Sequence, residues 1–150
     1  MASYLRTLAD ALAVGLQNEE SLSAANVSRE NWVSVTAEDL STATVIVVPG
    51  DIEVTRVSRQ TSQLDVTVNV FVGKRAVTDS AVNAIVDLAD SVLSALRRHE
   101  WENALTWPEG SSSPVSISID TNPDDGLNER NVWRAFFAVT YRIFSQDTSA

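Results

Sequence analysis

Asp120, Asn122 and Asp124 alternate ahead of Gly126 in a stretch, DTNPDDG, that imitates the opening half of a calcium-binding loop. Oxygen donors at every second position are what a hard cation requires. The imitation stops there. The calcium pattern places Gly where this chain has Asp125 and a bidentate Glu where it has Asn131, and Pro123 stiffens the middle. The stretch reads instead as a turn-rich acidic loop between two strands, of the kind that meets a neighbouring surface.

The remaining candidates for chemistry are as sparse. His99 is the only histidine, and beside Arg97 and Arg98 it reads as a charge compensating the end of a helix. No Ser or Asp constellation around it marks a general base. Ser111, Ser112 and Ser113 lack the Gly-x-Ser-x-Gly frame of a nucleophile elbow. The 5 glycines are never grouped as a phosphate-cradling loop requires. The carboxylate pairs Glu19–Glu20 and Asp124–Asp125 fall in polar segments, where solvent keeps both members ionised. The residues therefore point to no enzyme, no metal and no cofactor.

Composition narrows the classes further. The 150 residues suit one domain, large enough to bury about two-thirds of its unfolded surface. A hydrophobic share of 44% fits a globular core. With 20 acidic against 11 basic residues the net charge is −9, which disfavours a nucleic-acid binder but suits a wall that DNA passes without adhering. The chain has 0 cysteines, so no disulfide or thiolate metal site is available. No apolar run reaches the roughly 18 residues of a membrane span, and the N-terminal segment reads as an amphipathic helix rather than a signal. A soluble protein with no membrane partner is the expectation.

The elements that would position any site follow from periodicity. Leu5, Leu8, Leu12 and Leu16 make a helix over about 3–17, capped by Ser3. A loop with Asn26, Ser28 and Asn31 leads to an extended piece at 32–36. Residues 43–48 are β-branched throughout after Ala43, which reads as a strand buried on both faces, and Pro49-Gly50-Asp51 reads as a turn closing it. After a polar β-prone segment at 51–59, Leu64, Val66, Val68, Val70 and Val72 alternate with Asp65, Thr67, Asn69, Phe71 and Gly73. That alternation predicts an antiparallel strand with one covered face, paired as a hairpin with its predecessor. The sheet spans about 43–73. Val82, Ile85, Ala89, Val92, Leu93 and Leu96 then stripe a second helix over about 79–98, capped by Thr78 or Asp79. A connector over 99–113, with Trp101, Leu105 and Trp107 clamping it, leads to a C-terminal hairpin over about 114–144. The order predicts an α+β fold: one mostly antiparallel, mixed sheet with both helices on one face.

The closing strand is the richest element. Trp133, Ala135, Phe137, Val139, Tyr141 and Ile143 share one face and belong to the core. Arg134, Phe136, Arg142 and Phe144 share the other, with Val132, Ala138 and Thr140. Aromatics and arginines on one face are covered either within the chain or by a second chain, and arginine favours the second.

This order of elements resembles the small tail-completion or tail-terminator proteins of long-tailed bacteriophages. VVPGDIEVTRVSRQTSQLDVTVNVFVGK is similar to the family's central hairpin and TDSAVNAIVDLADSVLSALRR to its second helix. SISIDTNPDDGLNERNVWRAFFAVTYRIF looks like its closing signature, whereas HEWENALTWPEGSSSP departs from the pattern. The resemblance implies a structural virion protein that forms a ring of six copies, terminates the tail tube and joins it to the head connector. It implies assembly in the bacterial host cytoplasm and residence at the tail or head–tail interface. The implied partners are further copies of the chain, the tail-tube protein and a head-completion or connector protein, with DNA passing unbound. Asp124, Asp125 and Glu129 are then candidates for the lumen or a subunit joint, and Arg130, Arg134 and Arg142 for acidic groups on a neighbour. Phe136 and Phe144 are candidates for the same joint. The alternatives are another neck or head-completion component, or a small α+β ligand-binding module.

Overall fold

A computed structural model of the chain describes residues 4–23, 25–33, 39–75, 78–98, 116–121 and 132–146. In chain order the elements are α1 (Tyr4–Gln17), β1 (Asn26–Arg29), β2 (Thr44–Arg56), β3 (Thr61–Arg75), α2 (Asp79–Arg98), β4 (Ser116–Thr121) and β5 (Val132–Gln146). Single 3₁₀ turns lie at Glu20–Leu22 and Asp39–Ser41. The strands form one sheet in the order β1-β2-β3-β5-β4. Only the β1–β2 pair is parallel, so the sheet is mixed and the fold is α+β. Among the described residues no helix is long and apolar enough to cross a membrane.

The main core lies on one face of this sheet. Leu64, Val66, Val68, Val70 and Val72 of β3 are all buried there, as their alternation requires, beside Ala135, Phe137, Val139, Tyr141 and Ile143 of β5. Leu8, Leu12 and Leu16 of α1 and Ala89, Val92, Ala95 and Leu96 of α2 pack against the same face. Each such leucine, isoleucine or valine removed from water contributes about 1.5–3 kcal/mol. Thr78 caps α2, its Oγ1 accepting the Ala81 amide at 3.2 Å, while its carbonyl accepts the Val82 amide.

Two local features differ from the sequence-based expectation. Asn26 and Ser28, expected in a loop, lie in the strand Asn26–Arg29, which pairs parallel with the start of β2, while 34–36 of the expected extended piece lie outside the described residues. Asn26 and Glu30 donate to the Ala43 and Val47 carbonyls, so the backbone bonding of a parallel partner outweighs the polar composition that reads as loop. Pro49-Gly50-Asp51 is not a turn either. β2 runs through it, with a register shift between Pro49 and Ile52. The position tolerates proline because β1 has already ended, so β2 has become an edge and no ladder donor is lost. Gly50 is required by close approach: a Cβ there would collide with the Thr67 carbonyl oxygen. The reversal comes later, at 57–60. There the Ser58 hydroxyl accepts the Gln60 and Thr61 amides at 3.3 and 3.1 Å, a side chain standing in for a backbone turn bond.

Candidate assembly surface

The face of the sheet away from the helices is divided along its length. Cross-strand register aligns Gly73 with Arg134, Phe71 with Phe136, Asn69 with Ala138, Thr67 with Thr140, Asp65 with Arg142 and Gln63 with Phe144. At the Gly73 end this face carries a second, smaller core of Leu40, Ile46, Val48, Phe71 and Val132, with Val33 and Phe136 against it. Leu40 arrives on the Asp39–Ser41 turn. The Phe71 and Phe136 rings meet edge to face with centroids 5.1 Å apart, a geometry that aligns ring edge with ring quadrupole. Gly73 makes room for this: a Cβ there would lie 2.6 Å from Phe71 Cζ.

Arg134 falls inside that enclosed end and is fully buried, engaged by interactions within its own chain. Within the single chain its side chain is thus covered without a neighbour. Alternation places it on the correct face but cannot show that Leu40, distant in sequence, covers that part of the face. Burying a guanidinium is costly unless it is engaged locally. Phe136 is half-buried in the same cluster.

The other end of the face is open. Arg142 Nε donates to Asp65 Oδ1 at 3.0 Å and Nη2 to Oδ2 at 3.4 Å, across the directly paired positions of β3 and β5. The hydrogen bond and the charge of Asp65 raise the Arg142 pKa above its ordinary value, so the guanidinium stays charged. The Thr67 and Thr140 hydroxyls share a hydrogen bond of 2.9 Å. Beyond them Phe144 is 46% exposed, an aromatic ring in water beside a paired arginine. Arg142 and Phe144 are thus the two candidates on β5 that stand on an accessible surface. Asp124, Asp125, Glu129 and Arg130 lie outside the described residues, as do His99, the 99–113 connector and most of the acidic loop.

The same end exposes a strand edge that the sequence does not advertise. β1 pairs with β2 only at 44–47, and 51–60 are exposed throughout. Ile52 is 38% and Val54 62% exposed, although their cross-strand partners Val66 and Leu64 are core residues. The signal available in sequence is the alternation of Ile52 and Val54 in a segment otherwise read as polar. A shallow cavity of about 300 Å³ near Ile85 and Leu88 has, among the described residues, Lys74 as the sole charged group of its lining, which offers a small ligand little convergent polarity.

No protein-family model and no curated protein matches the chain in sequence. Among solved structures the fold is similar to a chain of one described as "Virion of native gene transfer agent (GTA) particle". The two share 13% sequence identity and a TM-score of 0.58 over 96% of this chain and 100% of the other.

Proposed function

We propose that the chain is a structural protein of a phage-like virion, assembling as a ring that terminates the tail tube and joins it to the head connector. The observation that carries the reading is the shared fold with a virion-particle chain over that chain's entire length. The order of elements and the hairpin and closing-strand patterns support the finer placement in the neck. So does the surface. A ring needs heterologous contacts that close, and the open end of the sheet offers Phe144, Arg142 and an exposed strand edge. The net charge of −9 suits a lumen through which DNA slides by like-charge repulsion. In this reading Asp124, Asp125 and Glu129 line the lumen or a subunit joint, with Arg130 and Arg142 at that joint and Phe136 beside it.

Light scattering coupled to size exclusion, followed by negative-stain microscopy, tests the reading. Closed rings, formed alone or on purified tail tubes, are expected. A strictly monomeric protein that also fails to join tail tubes would remove the ring and the neck position together. A ring that docks only to heads would move the protein to a head-completion role.

A further inference from the structure

The two edges of the sheet fit each other. We infer that β2 beyond its β1 partner, at 48–53, pairs antiparallel with β4 of the next copy of this chain, continuing one sheet from subunit to subunit. The inference rests on the ring reading and specifies its joint.

Strand polarity comes first. β2 is antiparallel to β3, β3 to β5 and β5 to β4, so β2 and β5 run one way and β3 and β4 the other. A second copy set beside the first, without being turned over, therefore lays its β2 antiparallel to the first copy's β4. Such a contact is heterologous and repeats, as a ring requires. Both edges are open among the described residues: β4 has only β5 as neighbour, and β2 beyond Pro49 has only β3. The outer edge of β1, by contrast, is already engaged, since Gln17 Nε2 of α1 donates to the Val27 carbonyl at 3.1 Å.

The faces agree as well. Ile52 and Val54 stand opposite Val66 and Leu64, on the helix side. Ile117 and Ile119 stand opposite Val139 and Phe137, on that side too, and Ile119 is 45% exposed. Pairing the edges joins these aliphatics into one row continuous with the main core. It sets Glu53 beside Ser116 and Ser118 on the opposite face. Charge then chooses the register. Ile52 opposite Ile119 would bring Asp51 opposite Asp120, a like-charge pair that destabilises a ladder. Ile52 opposite Ile117 sets Asp51 against Ser118 and Glu53 against Ser116 instead. Through the ladder Ile117 is level with Val68 and Ile52 with Val66, so each copy is displaced by two residues, roughly 7 Å, relative to its neighbour. A displacement repeated in one direction is what a sheet closing on itself needs. Unpaired edges carrying exposed aliphatics are otherwise an aggregation hazard, which assembly removes.

Because the chain has no cysteine, introduced ones report the joint cleanly. In the double variant Ile52→Cys/Ile117→Cys, mild oxidation of assembled rings should give a ladder of covalent oligomers on a denaturing gel. Directly paired positions lie within disulfide reach. The variant Glu53→Cys/Ile117→Cys puts its thiols on opposite faces and should give no ladder. Ile52→Lys/Val54→Lys should abolish rings while leaving a folded monomer by circular dichroism, since both residues are exposed in it. Rings that form without cross-linking in the first variant, or that survive the lysine pair, would overturn the joint and leave the ring reading standing. A wild-type chain that forms no ring on any template would overturn both.

Discussion

At its β1 end the central ribbon of β2, β3 and β5 is enclosed on both faces; at its hairpin end the same three strands have one face open and one edge bare. The enclosed end owes its cover to two segments remote in sequence. α1 packs over Val45 and Val47, while the Asp39–Ser41 turn brings Leu40 onto Ile46, Val48 and Phe71. Among the described residues nothing comparable covers Ile52, Val54 or Phe144. The same alternation of side chains thus gives an interior at one end and a surface at the other. In the proposed ring, stability and assembly therefore fall to different halves of one sheet. Substitutions at the enclosed end should be felt by the isolated chain, and those at the hairpin end by the contacts it makes.

The largest expected effect is at the enclosed end. Phe71→Ala empties the centre of the smaller core, removing the edge-to-face contact with Phe136 and the cover over Gly73. Loss of a buried aromatic costs about 3–5 kcal/mol. Urea unfolding should show the midpoint falling sharply, and Arg134, enclosed by the same cluster, should become reachable by guanidinium-modifying reagents. A loss below about 1 kcal/mol would mean that the second face is not an interior, because that is the range of ordinary surface substitutions.

An intermediate effect is expected at the boundary between the two halves. Gly50→Ala sets a Cβ against the Thr67 carbonyl, which belongs to the β3 backbone and cannot rotate away. Accommodating it by strand displacement costs about 1–3 kcal/mol. Hydrogen exchange should localise the loss to the hairpin beyond the register shift and leave β1 and the start of β2 protected. Uniform loss of protection would show that the halves unfold as one.

This division also decides what could be read from sequence. Both helices, the hairpin, the closing strand and the faces of β3 and β5 followed from local periodicity, since alternation and three- or four-residue steps are properties of neighbouring residues. β1 could not be seen, because a short strand with polar side chains is created by its partner. Pro49-Gly50 misleads for a related reason: those residue types serve turns and bulges alike, and only the end of β1 selects the bulge. Arg134 and Arg142 are indistinguishable in sequence, two arginines on one face of one strand. The first is fully buried at the enclosed end, and Asp65 holds the second at the surface.

The smallest effect is expected at that second arginine. The Asp65–Arg142 pair is half-exposed, and solvent screens most of its attraction. Asp65 raises the Arg142 pKa, so the contribution of the pair through this group is complete below the arginine's ordinary pKa. It is lost only as pH rises through the higher folded value, in strongly alkaline solution. From neutral to mildly alkaline pH the arginine therefore adds no slope to stability. Arg142→Gln should leave the unfolding midpoint of the monomer nearly unchanged at high salt, where the wild-type pair is screened too. Ring formation is the more sensitive readout. If Arg142 and Phe144 form part of the joint, the substitution weakens assembly at a salt concentration where monomer stability is unaltered. If assembly and stability respond in parallel, or neither responds, Arg142 serves only the ladder it sits in, and the open face next to β4 has no part in the ring.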